Sequence, residues 1–165
     1  MKKTFAAAVA ASFVMTGAGS AQDLFEMTSG YANNLPILGT ASVNFVDKIN
    51  SISTEVEFEH FNPGELVPAL EMLDATSNGT VEMCHTAAYY YVGKDPAWAL
   101  GGVIPFGLNA RGMHAWLYYG GGLDLLNEFY GTQGLHYLPA GNTGAQMGGW
   151  FRKEINGLAD MEGLQ

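Results

Sequence analysis

The chain has little positive charge. Seven lysines and arginines stand against sixteen aspartates and glutamates in 165 residues, a formal net charge of −9. Two of the seven, Lys2 and Lys3, fall in a segment read below as a cleaved leader. The five others are Lys48, Lys94, Arg111, Arg152 and Lys153, which puts the mature chain at about −11. Nucleic-acid binding needs a basic footprint and is excluded on this count. Docking on an anionic bilayer surface is excluded for the same reason. A ligand that is itself an acid would need a local counter-charge.

Cysteine is nearly missing. Cys84 is the single one, so no intramolecular disulfide can form. With no basic residue near it in sequence, it reads as a buried, inert thiol. The short motifs of covalent chemistry are missing too. There is no GxSxG, CxxC or Walker loop, and His60, His85, His114 and His136 show neither HExxH nor paired ligand spacing. Gly120–Gly122 joins two expected helices rather than a strand to a helix, so it is no phosphate cradle. Asn78-Gly79-Thr80 matches a glycosylation sequon but reads as an ordinary helix-ending turn. Charged residues are only 14% of the chain and glycines number 22, which suits a compact fold with tight turns rather than disorder.

What is present begins with an export signal. Lys2 and Lys3 form a basic start, Thr4–Thr16 is apolar, and Gly17–Ala21 supplies small residues ahead of a cut before Gln22. The apolar stretch is too short to span a bilayer, and no other segment could do so. Residues 1–21 are therefore expected to be a signal peptide and the product to be periplasmic.

Beyond the leader, Leu24–Thr28 reads as a strand. Asn33–Asn50 reads as a helix, with Pro36 in its first turn and Leu38, Ala41, Phe45 and Ile49 at helical spacing. Thr54–Phe61 alternates, with Val56, Phe58 and His60 on one face and Glu55, Glu57 and Glu59 on the other, the period of a half-buried strand. Glu65–Ser77 reads as a helix with Pro68 in its first turn, ended by Gly79. Val81–His85 reads as a strand. Strand, helix and strand in that order form a βαβ unit and imply a parallel sheet. Further on, Leu100–Phe106 is expected as a strand, Ala110–Tyr119 as a helix capped by Asn109, and Leu123–Tyr130 as another helix. Leu135–Leu138 and Gln146–Phe151 are expected as strands, and Asn156–Met161 as a short helix. Ligands of open α/β folds bind outside the carboxyl ends of the strands. That rule points to the loops after Phe61 and His85 and to Gly141–Gln146.

Gly141–Ile155, GNTGAQMGGWFRKEI, is the stretch richest in recognition chemistry. Its small turn residues expose backbone donors and acceptors, and Gln146 adds an amide beside them. An amide oxygen suits a hard cation, so Gln146 is a candidate for both substrate and metal. Asn142 could bond a ligand or only its own turn. Trp150 could wall a cleft, against the weightier reading of packing. Tyr89, Tyr90 and Tyr91 follow a strand end; in extended chain Tyr89 and Tyr91 would share a face opposite Tyr90. One of them should reach the core and one should offer a phenol to the cleft. Phe106 could line that cleft or pack in the core. Glu65 is favourable at a helix start whatever the function. Glu55, Glu57 and Glu59 read as a solvated face rather than a metal site.

Taken in order, FNPGELVPALEMLDATSNGTVEM (Phe61–Met83), YYVGKDPAW (Tyr90–Trp98), VIPFGLNA (Val103–Ala110), AWLYYGGGLDLLNEFY (Ala115–Tyr130) and the Gly141 stretch resemble the substrate-binding proteins of tripartite ATP-independent periplasmic (TRAP) transporters. The nearest branch is the 2-oxo acid and mannitol-chloroaromatic one. The resemblance runs from about Phe58 to Leu164. It implies an α/β, two-lobed periplasmic-binding-protein fold, type II-like, with residues 22–140 as the first lobe and 141–165 as the crossover into the second. It implies a non-enzymatic receptor that captures a small organic acid, a 2-oxo acid by preference, for membrane permease subunits driven by an ion gradient. It implies a cation, sodium favoured, bridging to the ligand at Gln146, with Asn142, Tyr89, Tyr90 and Phe106 as substrate contacts. The motif favours Tyr89 or Tyr90 over Tyr91. A homodimer is expected of the full-length form. In the family an arginine beyond the ADMEGL segment clamps the ligand carboxylate, whereas this chain stops at Gln165, so the expectation is a first half of a longer receptor. An exported sensor using the same cleft is the alternative, and an exported enzyme a weaker one, since no nucleophile–base pair or metal triad is present.

Overall fold

The structure is a computed structural model, and it describes residues 22–102 and 104–164. The expected signal peptide lies outside the described residues. Three strands, β1 (Asp23–Ser29), β2 (Val56–Phe61) and β3 (Met83–His85), form a parallel sheet in the order β2-β1-β3. Asp23 pairs with Val56 and Thr28 with Phe61 on one side of β1; Ser29 pairs with His85 on the other. The first strand in the chain is thus the central one, and the second connection must cross over it.

Helix α1 (Leu38–Ile52) joins β1 to β2 and packs on the sheet. The expected alternation of β2 has its physical purpose here. Phe58 meets Phe25 and Phe45 edge to face, at 5.5 and 6.0 Å between ring centroids, while Glu55, Glu57 and Glu59 are exposed. The helix starts five residues later than expected. Proline disfavours helical geometry in the residue before it, and Pro36–Leu38 closes instead as a tight γ-turn, with Leu38 N donating to Pro36 O at 2.8 Å and Ile37 at φ 68°, ψ −61°. Thr40 Oγ1 accepts from Ile37 N to secure that entry. Gly39 lies so close to the preceding loop that a Cβ there would sit 1.8 Å from the Ala32 carbonyl oxygen.

Helix α2 (Met72–Ser77) is also shorter than the expected Glu65–Ser77. Pro68 again explains it: the residues ahead of it are pushed from the helical region, and 65–71 runs as turns. Glu65 therefore caps no helix. Its carboxylate accepts from Asn62 N at 2.6 Å and locks the Asn62–Glu65 turn. Met72 is fully buried beside the sheet, with Thr28 Oγ1 donating to its sulfur, while Leu73 faces the other way into a second cluster.

That second cluster is the larger core. Tyr91, Trp98, Met113, Leu117, Leu126 and Tyr130 join Leu73 in it. Helices α3 (Ala110–Tyr119) and α4 (Gly122–Gly131) supply most of these side chains. Asn109 caps α3 as expected, accepting from Gly112 N at 2.9 Å. Trp98 sits at the centre, edge to face with Phe129 and Tyr130, both at 4.8 Å. It comes from a 3-10 helix, Pro96–Gly101, which takes up the first two residues of the strand expected over Leu100–Phe106, and 104–106 is not strand either. Asp95 accepts from Ala97 N and Pro96 takes the first helical position, the usual start of a helix. Val103 lies outside the described residues.

Two further expected strands are absent among the described residues. Leu135–Leu138 is irregular. Leu135 N donates to Tyr130 O, and at Tyr137 a side chain takes the place of a partner strand: Tyr137 N donates to Asn127 Oδ1 at 2.7 Å, and Asn127 Nδ2 donates back to Tyr137 O at 3.2 Å. Gln146–Phe151 is exposed chain with no ladder partner. The expected helix near Asn156 is a single 3-10 turn, Leu158–Met161.

Candidate functional site

The carboxyl ends of β1 and β3 lie side by side, and the loops that leave them carry three phenols. Tyr31 follows β1 by two residues. Tyr89 and Tyr90 lie in a 3-10 turn, Ala88–Tyr91, three residues past β3. The 3-10 geometry overrules the alternation expected of extended chain. Tyr89 and Tyr90 are neighbours in contact, rings 4.7 Å apart and edge to face. Tyr91 turns into the core at 3% exposure, and Tyr90 is 45% exposed. Tyr31, buried against the edge of the His85 ring at 5.3 Å, faces the other two. Burial first, then the hydrogen bond and charge of Tyr90, push the Tyr31 phenol well above its ordinary value. The Tyr90 hydroxyl and then burial do the same to Tyr89. These phenols stay protonated through the neutral range and can donate to an anionic oxygen.

Polar groups line up beneath Tyr31. Ser29 Oγ accepts from Tyr31 N at 3.2 Å and donates to Tyr31 O at 3.0 Å. Ser42, from α1, reaches Ser29 at 3.4 Å, and His60 Nε2, from the end of β2, reaches Ser42 at 2.9 Å. Sequence reasoning missed Tyr31, Ser29, Ser42 and the nearness of His60 to His85. The signal was there in the rule that ligands sit at strand ends, since Ser29, His60 and His85 all occupy one. What pairs them is the register across β1.

The Gly141 stretch is built differently. Asn142 Oδ1 accepts from Gly144 N at 2.8 Å, with Gly144 at φ +80°, an Asx turn that glycine closes without strain. Gln146 Nε2 donates to Thr143 Oγ1 at 2.9 Å, which leaves its carbonyl oxygen unengaged by that bond. Gln146 and Asn142 are exposed, and Trp150 is 90% exposed. An open groove of about 450 Å³ is lined by Trp150, Phe151, Arg152, Lys153 and Leu164, all within this stretch or beyond it. Phe106 is fully exposed at φ 60° in a tight turn and joins neither the core nor the tyrosines. Among the candidates, then, the structure brings Tyr89 and Tyr90 together with Tyr31, and leaves Asn142, Gln146 and Phe106 apart from them.

Among the described residues no group of three His, Cys, Asp or Glu side chains could hold a metal ion. Glu55, Glu57 and Glu59 are a solvated face. A hard cation here would rest on neutral oxygens, and the Gln146 amide oxygen is of the right kind. Cys84 is half-buried, and burial pushes its thiol up, away from the reactive thiolate.

Comparison with known proteins follows the same lines. Residues 28–165 match the profile of the bacterial extracellular solute-binding protein family 7. A monocarboxylate 2-oxoacid-binding periplasmic protein of a Nostoc species is 54% identical over 105 residues, 64% of this chain and 29% of that protein. A TRAP transporter solute-binding protein from Bordetella bronchiseptica, a mixed-occupancy dimer with copurified calcium and picolinate in one site, superposes with a TM-score of 0.81 at 38% identity, over 87% of this chain and 43% of that one. A TRAP periplasmic solute-binding protein from Pseudoalteromonas atlantica, with bound sodium and pyruvate, gives 0.82 at 37% identity over 87% and 44%. Its counterpart from Colwellia psychrerythraea, with bound calcium and pyruvate, gives 0.83 at 35% identity over the same shares. The chain spans less than half the length of each of these relatives.

Proposed function

Since the chain belongs to the bacterial extracellular solute-binding protein family 7, the solute receptors of TRAP transporters, we propose that it supplies one wall of a site for a small 2-oxo acid. The observation that carries this reading is the meeting of Tyr31, Tyr89 and Tyr90 at the carboxyl ends of β1 and β3. Their hydroxyls offer hydrogen-bond donors to carboxylate or keto oxygens, and their rings offer apolar area for the rest of a small ligand. The Nostoc relative, named as a 2-oxoacid binder, supports the ligand class.

In this reading Gln146 gives its amide oxygen to a cation, sodium or calcium, that bridges to the ligand; one related structure holds bound sodium and pyruvate and another bound calcium and pyruvate. The cation would neutralise ligand charge that an acidic protein repels. Asn142 shapes the turn that presents Gln146, and Phe106 is a weaker contact. No covalent step is involved. The receptor works in the periplasm after loss of residues 1–21 and delivers its ligand to TRAP permease subunits, as a homodimer in the full-length form.

The test is a titration of the chain with pyruvate, followed by NMR in sodium, in calcium and in tetramethylammonium. A part-site should bind weakly, with a dissociation constant on the order of 1 mM, or about −4 kcal/mol. The resonances of Tyr31, Tyr89, Tyr90 and Gln146 should move, and the Gln146 response should vanish without a coordinating cation. Shifts confined to other residues would overturn this map of the site.

A further inference from the structure

The polar chain from His60 to Tyr31 allows an arrangement in which each serine proton rests on a carbonyl. Each serine hydroxyl has one proton to give. Ser29 Oγ donates to Tyr31 O and Ser42 Oγ to Gly39 O, both at 3.0 Å. Ser42 Oγ also reaches Ser29 Oγ at 3.4 Å and His60 Nε2 at 2.9 Å, and when its proton goes to Gly39 O the imidazole is the donor. In that arrangement His60 is the Nε2–H tautomer, and its Nδ1 is a bare acceptor. That Nδ1 is buried without a hydrogen-bond partner, and so is the Nδ1 of His85. Two ring nitrogens without partners, at the ends of the strands that flank β1, are unusual in a folded protein. Each ring has one bare nitrogen in its neutral form, and that nitrogen is where a proton would bind.

Their surroundings set what protonation would do. His60 faces Asp47 and Glu65, whose charges favour the imidazolium, but burial outweighs them and holds His60 below its ordinary value. His85 is held down by burial and then by the charge that His60 would carry, and its other titratable neighbour is the phenol of Tyr31. The two histidines oppose each other's protonation, and both touch the groups that fix Tyr31: His60 through Ser42 and Ser29, His85 through its ring.

We infer that His60 and His85 form a proton-sensitive element beneath the carboxyl edge of the sheet, which holds Tyr31 in place while both rings are neutral and lets it go when one takes up a proton. This goes beyond ligand capture and does not depend on which acid is bound. A proton on His60 Nδ1 places a charge in a site built for a neutral ring, and the strain relaxes along Ser42 and Ser29 to the Tyr31 backbone.

The sign of the stability effect follows. The unfolded chain titrates its histidines near pH 6.5, and the folded chain does so lower. Below about pH 6.5 the unfolded state binds more protons, so stability is full above that value and lost as pH falls toward the folded values. Each histidine weakens the folding equilibrium by up to about tenfold per pH unit across that window.

The experiment follows the histidine ring nitrogens and the Tyr31 amide by NMR between about pH 7.5 and 5, above the range where carboxylates near 4 titrate. His60 is expected as the Nε2–H tautomer, and the Tyr31 amide is expected to shift with the histidine midpoints. His60→Gln keeps a donor for Ser42 but cannot take the proton, so the His60 part of the Tyr31 transition should vanish. His60→Gln with His85→Gln should leave Tyr31 flat and remove the acid loss of stability. A Tyr31 amide that ignores pH in the unmodified chain, an Nδ1–H tautomer at His60, or a transition that persists in the double variant would each overturn the inference. The first two readouts need no variant to fold.

Discussion

Trp98 and Trp150 are the same residue in two regions of opposite character. Trp98 is 2% exposed, at the centre of an aromatic cluster fed by two helices and a 3-10 turn. Trp150 is 90% exposed, after two glycines, in a stretch from Gly141 to Leu164 where only Ile155 and Asp160 are even half-buried. The difference is in the surroundings. Asp95 and Pro96 fix the turn that aims Trp98, and α4 offers it two aromatic edges. Around Trp150 no helix or strand fixes the backbone, and no apolar surface receives the ring. The lesson is that the same side chain adds to stability only where the surrounding backbone and apolar surface are already fixed.

The sharpest way to break that comparison is to remove both rings. Trp98→Ala should cost about 3–5 kcal/mol by urea unfolding, the usual range for emptying an aromatic core position. Such a loss is a large share of the stability of a domain this size. A cost under about 1 kcal/mol would mean that the cluster is not the core it is described as. Asn127→Ala tests the seam between the regions. It leaves the N–H and C=O of Tyr137 without partners, and should cost about 1–3 kcal/mol. Hydrogen exchange at Tyr137 should rise before exchange at Leu126 does, since the clamp opens locally. At the small end, Trp150→Ala and Gln146→Ala should each change unfolding by no more than about 0.5 kcal/mol. The same Gln146→Ala change should weaken pyruvate binding by about 1.5–3 kcal/mol if its oxygen holds the bridging cation. A Gln146 variant that unfolds instead would make it a structural loop residue and close the gap between the two regions.

How far the sequence revealed this depends on where each element draws its order. Strand β2 was legible because its alternation is enforced by one buried face, and α3 because Asn109 announces its start. The starts of α1 and α2 were misplaced because Pro36 and Pro68 act on the residue ahead of them, not only on their own position. The expected strands at Leu135–Leu138 and Gln146–Phe151 failed for another reason. A strand pattern is a request for a partner, and periodicity does not say whether one is there. Of the candidate site, Tyr89 and Tyr90 were legible from their place after a strand. Tyr31 and the His60–Ser42–Ser29 chain were not, because they meet only through the register of three strands far apart in sequence.

The order β2-β1-β3 also has a meaning in time. A chain delivered amino end first presents β1 before either neighbour exists. Strand β2 can join soon after, but His85 follows Ser29 only after the 55 residues between them, β2 included, have been made. At about 5–20 residues per second that is roughly 3–11 s of synthesis. Throughout it one edge of β1, with Met27, Thr28 and Ser29, remains open to the wrong strand. The candidate pocket inherits the same delay, since half of its wall arrives with β3. A nascent chain of this sequence would be most exposed to mispairing in that interval, and safest once His85 has docked.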